Sequence, residues 1–98
     1  SSDLKLGIGY LQLATIYYDI EKNELSIDNY IRAINIFDKK NPTTNLALAY
    51  YGLGKCYLKK NKIAVAEIYF EKAKSLYEAL NFLEAIELIN LQKGRIRR

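Results

Sequence analysis

The chain contains no histidine, so the side chain most often used as a general base or metal ligand near neutral pH is missing. Its one cysteine, Cys56, has no imidazole to activate it, and the residue forty positions earlier is Ile16, which is apolar. Cys56 therefore reads as a small buried hydrophobe rather than a nucleophile. A lone cysteine also excludes an intramolecular disulfide and gives no sign of an oxidising compartment. Gly7-Ile8-Gly9 has the composition of a phosphate-loop fragment, but no strand precedes it and its neighbours follow a helical pattern. Glu67 with Glu71, and Asp28 four residues before Arg32, fit solvated helix faces. No nucleophile–base pair and no metal-ligand set emerges. The expectation is a non-enzyme with no catalytic residue, no metal and no cofactor.

Charge offers one more chemistry. The chain has 98 residues with 15 Lys+Arg and 11 Asp+Glu. The whole excess of four sits at the end, in Lys93, Arg95, Arg97 and Arg98. Residues 1–92 are neutral, so the basic isoelectric point describes a tail and not a body. Four phosphate contacts would give nucleic-acid binding a log–log salt slope of about −3 to −4. The alternative is a solvated helix end, favoured at the negative pole of the helix dipole. Nucleic acid is the less favoured partner.

The elements that would position any site are legible from periodicity. Half of the residues are hydrophobic, with nine Tyr, three Phe, five Gly and one Pro; that is too apolar for a disordered chain and too poor in breakers for many short strands. No apolar run approaches the roughly 18–20 residues of a membrane span, and the N-terminus lacks a signal-like segment. A cytoplasmic protein without membrane association is the expectation. The absence of an initiator Met and the end in a basic run suggest a piece of a larger regulator or scaffold.

Shifting the sequence by 40 residues lays Leu6, Tyr10, Leu13, Ala14 and Tyr17 on Leu46, Tyr50, Leu53, Gly54 and Tyr57, then Ser26, Tyr30, Ala33 and Phe37 on Ala66, Phe70, Ala73 and Tyr77. The intervals within each set are those of one helical face. They predict helix pairs at about 4–20 with 24–40 and about 45–60 with 63–80, then a fifth helix from about 83 to at least 93. Asn41-Pro42 would stop the second helix, Thr43 or Thr44 would cap the third, and Asn23 would cap the second. Asn61 and Asn81 suit left-handed C-terminal positions. Ala14, Gly54, Ala33 and Ala73 would let backbones approach closely, and Gly54, costly inside a helix by about 1 kcal/mol, implies a steric demand.

Tyr50, Leu53, Gly54, Tyr57, Ala66, Phe70 and Ala73 resemble the tetratricopeptide-repeat signature, and Tyr10, Leu13, Ala14, Tyr17, Ser26, Tyr30 and Ala33 resemble a second copy. The resemblance covers about residues 4–80. It implies an all-α, right-handed α-solenoid of two antiparallel helix pairs plus a C-terminal helix, in one domain over 1–98: repeat one at about 4–40, repeat two at about 44–80, and a capping or partial-repeat helix at about 83–98. Two features depart from the family. The period is 40 instead of 34, similar to the extended repeats of kinesin light chains, polarity adaptors and bacterial peptide-sensing regulators. Glu21 and Asn61 stand where the family often has Gly. In the fifth helix the 40-residue step keeps only Gly94, while Leu83, Ile86, Leu88, Ile89 and Leu91 make it apolar on more than one face. That helix could close the stack, open a third repeat, or pair with its copy in a homodimer.

The resemblance further implies a non-catalytic protein- or peptide-binding module whose first helices line a concave groove. By transfer of the inward-facing positions, the groove takes Leu11, Thr15, Tyr18 and Asp19 from the first helix. Tyr51, Lys55, Leu58 and Lys59 come from the third, and Leu91 and Arg95 from the fifth. Such a surface suits an extended or helical peptide with apolar anchors and one or two carboxylates. Leu11, Tyr18, Tyr51 and Leu58 are equally what the core of long helices would contain. The Lys and Asn with which the chaperone-tail-binding members begin their set are absent, since Leu11 and Thr15 occupy those places.

Overall fold

The computed structural model describes residues 2–38 and 43–96. It contains five α-helices: α1 Ser2–Asp19, α2 Asn23–Phe37, α3 Thr43–Lys59, α4 Ile63–Leu80 and α5 Leu83–Ile96. Each packs against its neighbour in the chain, and α1 also reaches α3. The result is an all-α solenoid of two antiparallel pairs followed by a fifth helix, with extents of 43 × 32 × 19 Å. Asn41-Pro42, the side chain of Thr43, Arg97 and Arg98 lie outside the described residues.

Three turns share one construction. Glu21, Asn61 and Asn81 adopt left-handed φ values of 63°, 59° and 59°. After α1, the Glu21 amide donates to the Tyr18 carbonyl and the Lys22 amide to Tyr17; the same pair of bonds recurs at Asn61–Lys62 and at Asn81–Phe82. This is the Schellman arrangement, which satisfies carbonyls that the helix end would otherwise orphan. Asn tolerates the conformation because its short polar side chain bonds locally; Glu21 adopts it without that advantage.

One expected cap is different. Asn23 does not cap α2; it is the first helical residue, and the capping position belongs to Lys22, which makes no side-chain cap bond. The Asn23 amide group instead donates to the Cys56 carbonyl, 3.0 Å away on α3. A tertiary contact has taken the side chain that local propensity assigned to the helix end.

Burial follows the 40-residue step. Ala14 and Gly54, Ser26 and Ala66, Tyr30 and Phe70, Ala33 and Ala73, and Phe37 and Tyr77 are all buried. The small residues lie where large rings cross: a Cβ on Gly54 would sit 2.6 Å from Phe70 Cε1, and one on Gly7 would sit 2.8 Å from Phe37 Cε1. Each ring so buried contributes roughly 1.5–3 kcal/mol through apolar area removed from water. In the second pair, Tyr69 of α4 stacks between Tyr50 and Tyr57 of α3, at centroid distances of 6.0 and 5.7 Å. Where α1, α2 and α3 meet, the buried Ser26 hydroxyl donates to the Ala14 carbonyl at 2.7 Å and accepts the Cys56 thiol at 3.4 Å. Burial pushes the Cys56 thiol above its ordinary value, which disfavours the nucleophilic thiolate.

α5 occupies, relative to α4, the place that α3 occupies relative to α2. Ile86 and Ile89 stand forty residues after Leu46 and Ala49, and they pack with Phe70, Ala73 and Tyr77. The positions with which α3 grips α4, namely Ala47, Tyr50 and Gly54, become Glu87, Asn90 and Gly94 in α5, all exposed. α5 thus stands in a first-helix position, with a polar face where the second helix of its own pair would lie.

Candidate functional site

One stripe on each of α1, α3 and α5 faces the same side of the stack, because antiparallel pairs place every first helix there. Between α1 and α3 lies a cavity of about 600 Å³ lined by Leu11, Gln12, Thr15, Ile16, Tyr30, Leu48, Tyr51, Gly52 and Lys55. Its floor depends on Gly52: a Cβ there would collide with the Tyr30 ring, which rises from α2 between the two first helices. The Tyr30 hydroxyl ends 3.4 Å from Thr15 Oγ1, whose own hydroxyl bonds to the Leu11 carbonyl at 3.0 Å. Walls of Leu, Ile and Tyr with a hydroxyl pair at one point can hold an apolar side chain and offer its backbone a polar contact.

A second cavity of about 430 Å³ lies between α3 and α5, lined by Thr44, Leu48, Tyr77, Phe82, Glu84, Ala85 and Leu88. Leu48 lines both cavities, so they adjoin at that residue. Burial raises the Tyr77 phenol to about 12.

One end of the groove is cationic. Lys55 Nζ lies 4.7 Å from the Tyr18 ring centroid and 5.0 Å from that of Tyr51, and Lys59 Nζ lies 4.0 Å over Tyr18. Such cation–π contacts contribute about 0.5–1 kcal/mol where exposed and about 2 when desolvated. They hold two ammonium groups side by side on aromatic platforms. Burial lowers the Lys55 ammonium from its ordinary value near 10.5, while nearby Asp19 acts in the opposite sense. On α5, Gln92 Nε2 donates to the Tyr51 hydroxyl at 3.4 Å, and Arg95 donates to Gln92 Oε1 at 3.3 Å. Arg95 is thereby tied, through Gln92 and Tyr51, to the same end of the groove.

Among the residues expected to line the groove, Leu11, Thr15, Tyr51 and Lys55 share the first cavity. Tyr18 joins it through Lys55, and Lys59 through Tyr18. Leu58 packs on the core cluster that α4 forms with α3 and α5, while Leu91 is exposed and lines neither cavity. Leu11 and Tyr18 pack on the first core cluster, and Tyr51 on the second. These residues therefore serve as core on one side and as groove wall on the other. Leu48, Gln12, Ile16 and Gly52 were not anticipated in the groove, and Tyr30 was expected only as a packing residue. The stripe Tyr51–Lys55–Leu58, extended by one step of three residues toward the N-terminus, reaches Leu48, and the 40-residue step then reaches Leu88. Gly52 has no counterpart in the repeat signature, so no such step points to it.

Within the described part of the basic tail, Lys93 turns to the solenoid and Arg95 stays exposed. Lys93 forms an ion pair with Glu71 of α4, and Arg95 is engaged by Gln92. No helix among the described residues is long and apolar enough to cross a membrane.

With the geometry in place, the chain matches the profile of the family described as Tetratricopeptide repeat over residues 6–79. Neither the curated proteins nor the solved structures give a significant match. The matched segment begins one residue before Gly7 and ends in the last turn of α4, so it takes in both helix pairs.

Proposed function

Because the chain belongs to the tetratricopeptide-repeat family, whose members generally mediate protein–protein contacts and are typically non-catalytic, we propose that its concave surface binds a peptide segment of a partner protein. The carrying observation is the juxtaposition of the roughly 600 Å³ apolar cavity with the Lys55–Lys59 pair. In this reading an apolar side chain of the ligand enters between Leu11, Leu48 and Tyr51. A carboxylate two or three residues away reaches Lys55 and Lys59, with Arg95 able to swing toward it. The cavity supplies affinity by burying apolar area, and the cations supply orientation and rate of encounter. No reaction is assigned to the chain, and its role would be that of a scaffold.

A peptide array probed with the wild type and with Lys55→Glu/Lys59→Glu tests this. Peptides combining an aliphatic or aromatic anchor with a nearby acidic residue are expected to bind the wild type and to lose at least about tenfold in affinity to the double variant at low salt. Binding that is identical for both proteins would show that the ligand lies elsewhere.

A further inference from the structure

Three cations gather where the C-terminal ends of α1, α3 and α5 lie together. Lys55 and Arg95 stand forty residues apart, so they hold the same position on successive first helices, and Thr15 holds it on α1. Lys59 is one turn beyond Lys55. Both ammonium groups lie within 4.7 Å of the Tyr18 ring centroid. Burial raises the Tyr18 phenol above its ordinary value, and the Arg95 charge opposes that rise. Burial lowers the Lys55 ammonium; nearby Asp19 opposes this shift and the Lys59 charge adds to it. Other cations of the chain are neutralised internally, Lys60 by Glu24 and Lys93 by Glu71. Among the described residues, no carboxylate forms an ion pair with Lys55, Lys59 or Arg95. Three cations and one nearby carboxylate, Asp19, leave a net charge of +2 at this point. The helix dipole explains a cation in a last turn, but not this gathering around Tyr18 and Tyr51.

We propose that this end of the groove binds a phosphomonoester dianion, presented as a phosphorylated side chain beside the ligand's apolar anchor. The inference rests on the peptide-binding reading above and names the acidic group of that ligand. A phosphoryl group brings about −1.5 to −2 charge at pH 7 and three strong acceptor oxygens. The site meets it with matching charge and three cationic side chains. A carboxylate brings a single charge and leaves much of the repulsion between Lys55 and Lys59 in place. The two lysines act as point charges held on aromatic rings, and Arg95 supplies the planar fork that fits two phosphate oxygens. Gln92 accepts one Arg95 N–H at 3.3 Å and donates to the Tyr51 hydroxyl at 3.4 Å. The guanidinium is so anchored beside the lysines while its remaining N–H donors serve a ligand. A nucleic acid fits this site less well. Its phosphodiesters carry one charge each and follow one another along a strand. These cations are gathered at one point beside an apolar cavity of about 600 Å³, and Lys93 is committed to Glu71.

Fluorescence anisotropy with synthetic peptides tests it on the intact chain. Each peptide carries a Leu, Phe or Tyr anchor two or three residues from Ser, Glu or phosphoserine. The phosphoserine peptides are expected to bind at least about tenfold tighter than their Glu counterparts, with the Ser peptides weakest. Arg95 is exposed, so Arg95→Gln should leave the circular dichroism unchanged. It is expected to cost the phosphopeptides about tenfold and the Glu peptides less than about threefold. Inorganic phosphate alone should shift the amide resonances of Lys55, Lys59 and Arg95, which chloride at equal ionic strength should not. An anchored phosphopeptide is expected to bind far tighter than inorganic phosphate; equal affinities would overturn the peptide as the source of the dianion. Glu peptides that match their phosphoserine counterparts overturn the proposal and leave the peptide-binding reading standing. Failure of every peptide overturns both. A generic DNA or RNA oligonucleotide that binds tighter than the phosphopeptides, and is weakened by Arg95→Gln, overturns the proposal in favour of nucleic acid.

Discussion

Gly54 and Glu21 are two positions at which the choice of a single residue bears directly on the backbone. A side chain at Gly54 must displace the fully buried Phe70 ring, whose nearest atom lies 2.6 Å from the would-be Cβ. Gly54→Leu is therefore expected to lose roughly 1–3 kcal/mol through overpacking, measured as a lower urea midpoint with an unchanged slope. Glu21 shows the opposite case. It holds φ at 63°, where a non-glycine residue costs about 1–2 kcal/mol. Glu21→Gly relieves that cost and gives back part of it as added freedom in the unfolded chain, for a net gain of about 0.5–1 kcal/mol, visible as a higher Tm. Tyr77 sets an alkaline limit. Its phenol titrates near 12 in the fold against 10 when free, so the unfolded chain releases this proton first as pH rises. The stabilising difference is intact below pH 10 and is lost progressively between 10 and about 12. Tyr77→Phe should flatten the fall in stability across that window in urea titrations.

Helices reveal how far periodicity reaches and where it stops. The 40-residue step located the four helices of the two pairs because matched positions such as Tyr30 and Phe70, or Ala33 and Ala73, answer to the same packing demand. It also identified Asn61 and Asn81 as left-handed ends, since the residue type announces the conformation. It could not place Asn23, whose amide group is claimed by the Cys56 carbonyl of another helix, nor Gly52, whose reason is the Tyr30 ring arriving from outside its own pair. Both demands are tertiary and leave no local trace. α5 shows the same limit in another form. Its apolar residues are visible in the sequence, but only packing separates Ile89, fully buried against α4, from Leu91, left open. Ile89→Ala is expected to cost about 2–4 kcal/mol, and Leu91→Ala no more than about 0.5, in paired urea denaturations. Equal effects would mean that α5 packs on α4 by a different face.

Taken as a stack, the molecule presents two surfaces of different character. One, carried by the first helices, joins two apolar cavities through Leu48 and ends in Lys55 and Lys59 on Tyr18; the other is the exposed apolar stripe of Leu6, Leu13 and Ile20 on α1. The groove was partly legible because the positions beside the signature face inward in any such stack. Leu58 shows why the rest was not, since the same spacing puts a side chain in a groove or in a core according to how closely the next helix approaches. The account stands or falls on the concave surface being where a partner binds. The direct measurement is amide chemical-shift mapping of the protein titrated with an acidic, apolar-anchored peptide selected on the wild type. The expected shifts cluster at Leu11, Thr15, Leu48, Tyr51, Lys55 and Leu88, with α2 and the outer face of α4 unmoved. Shifts concentrated on α2 and α4, with those residues silent, would contradict it.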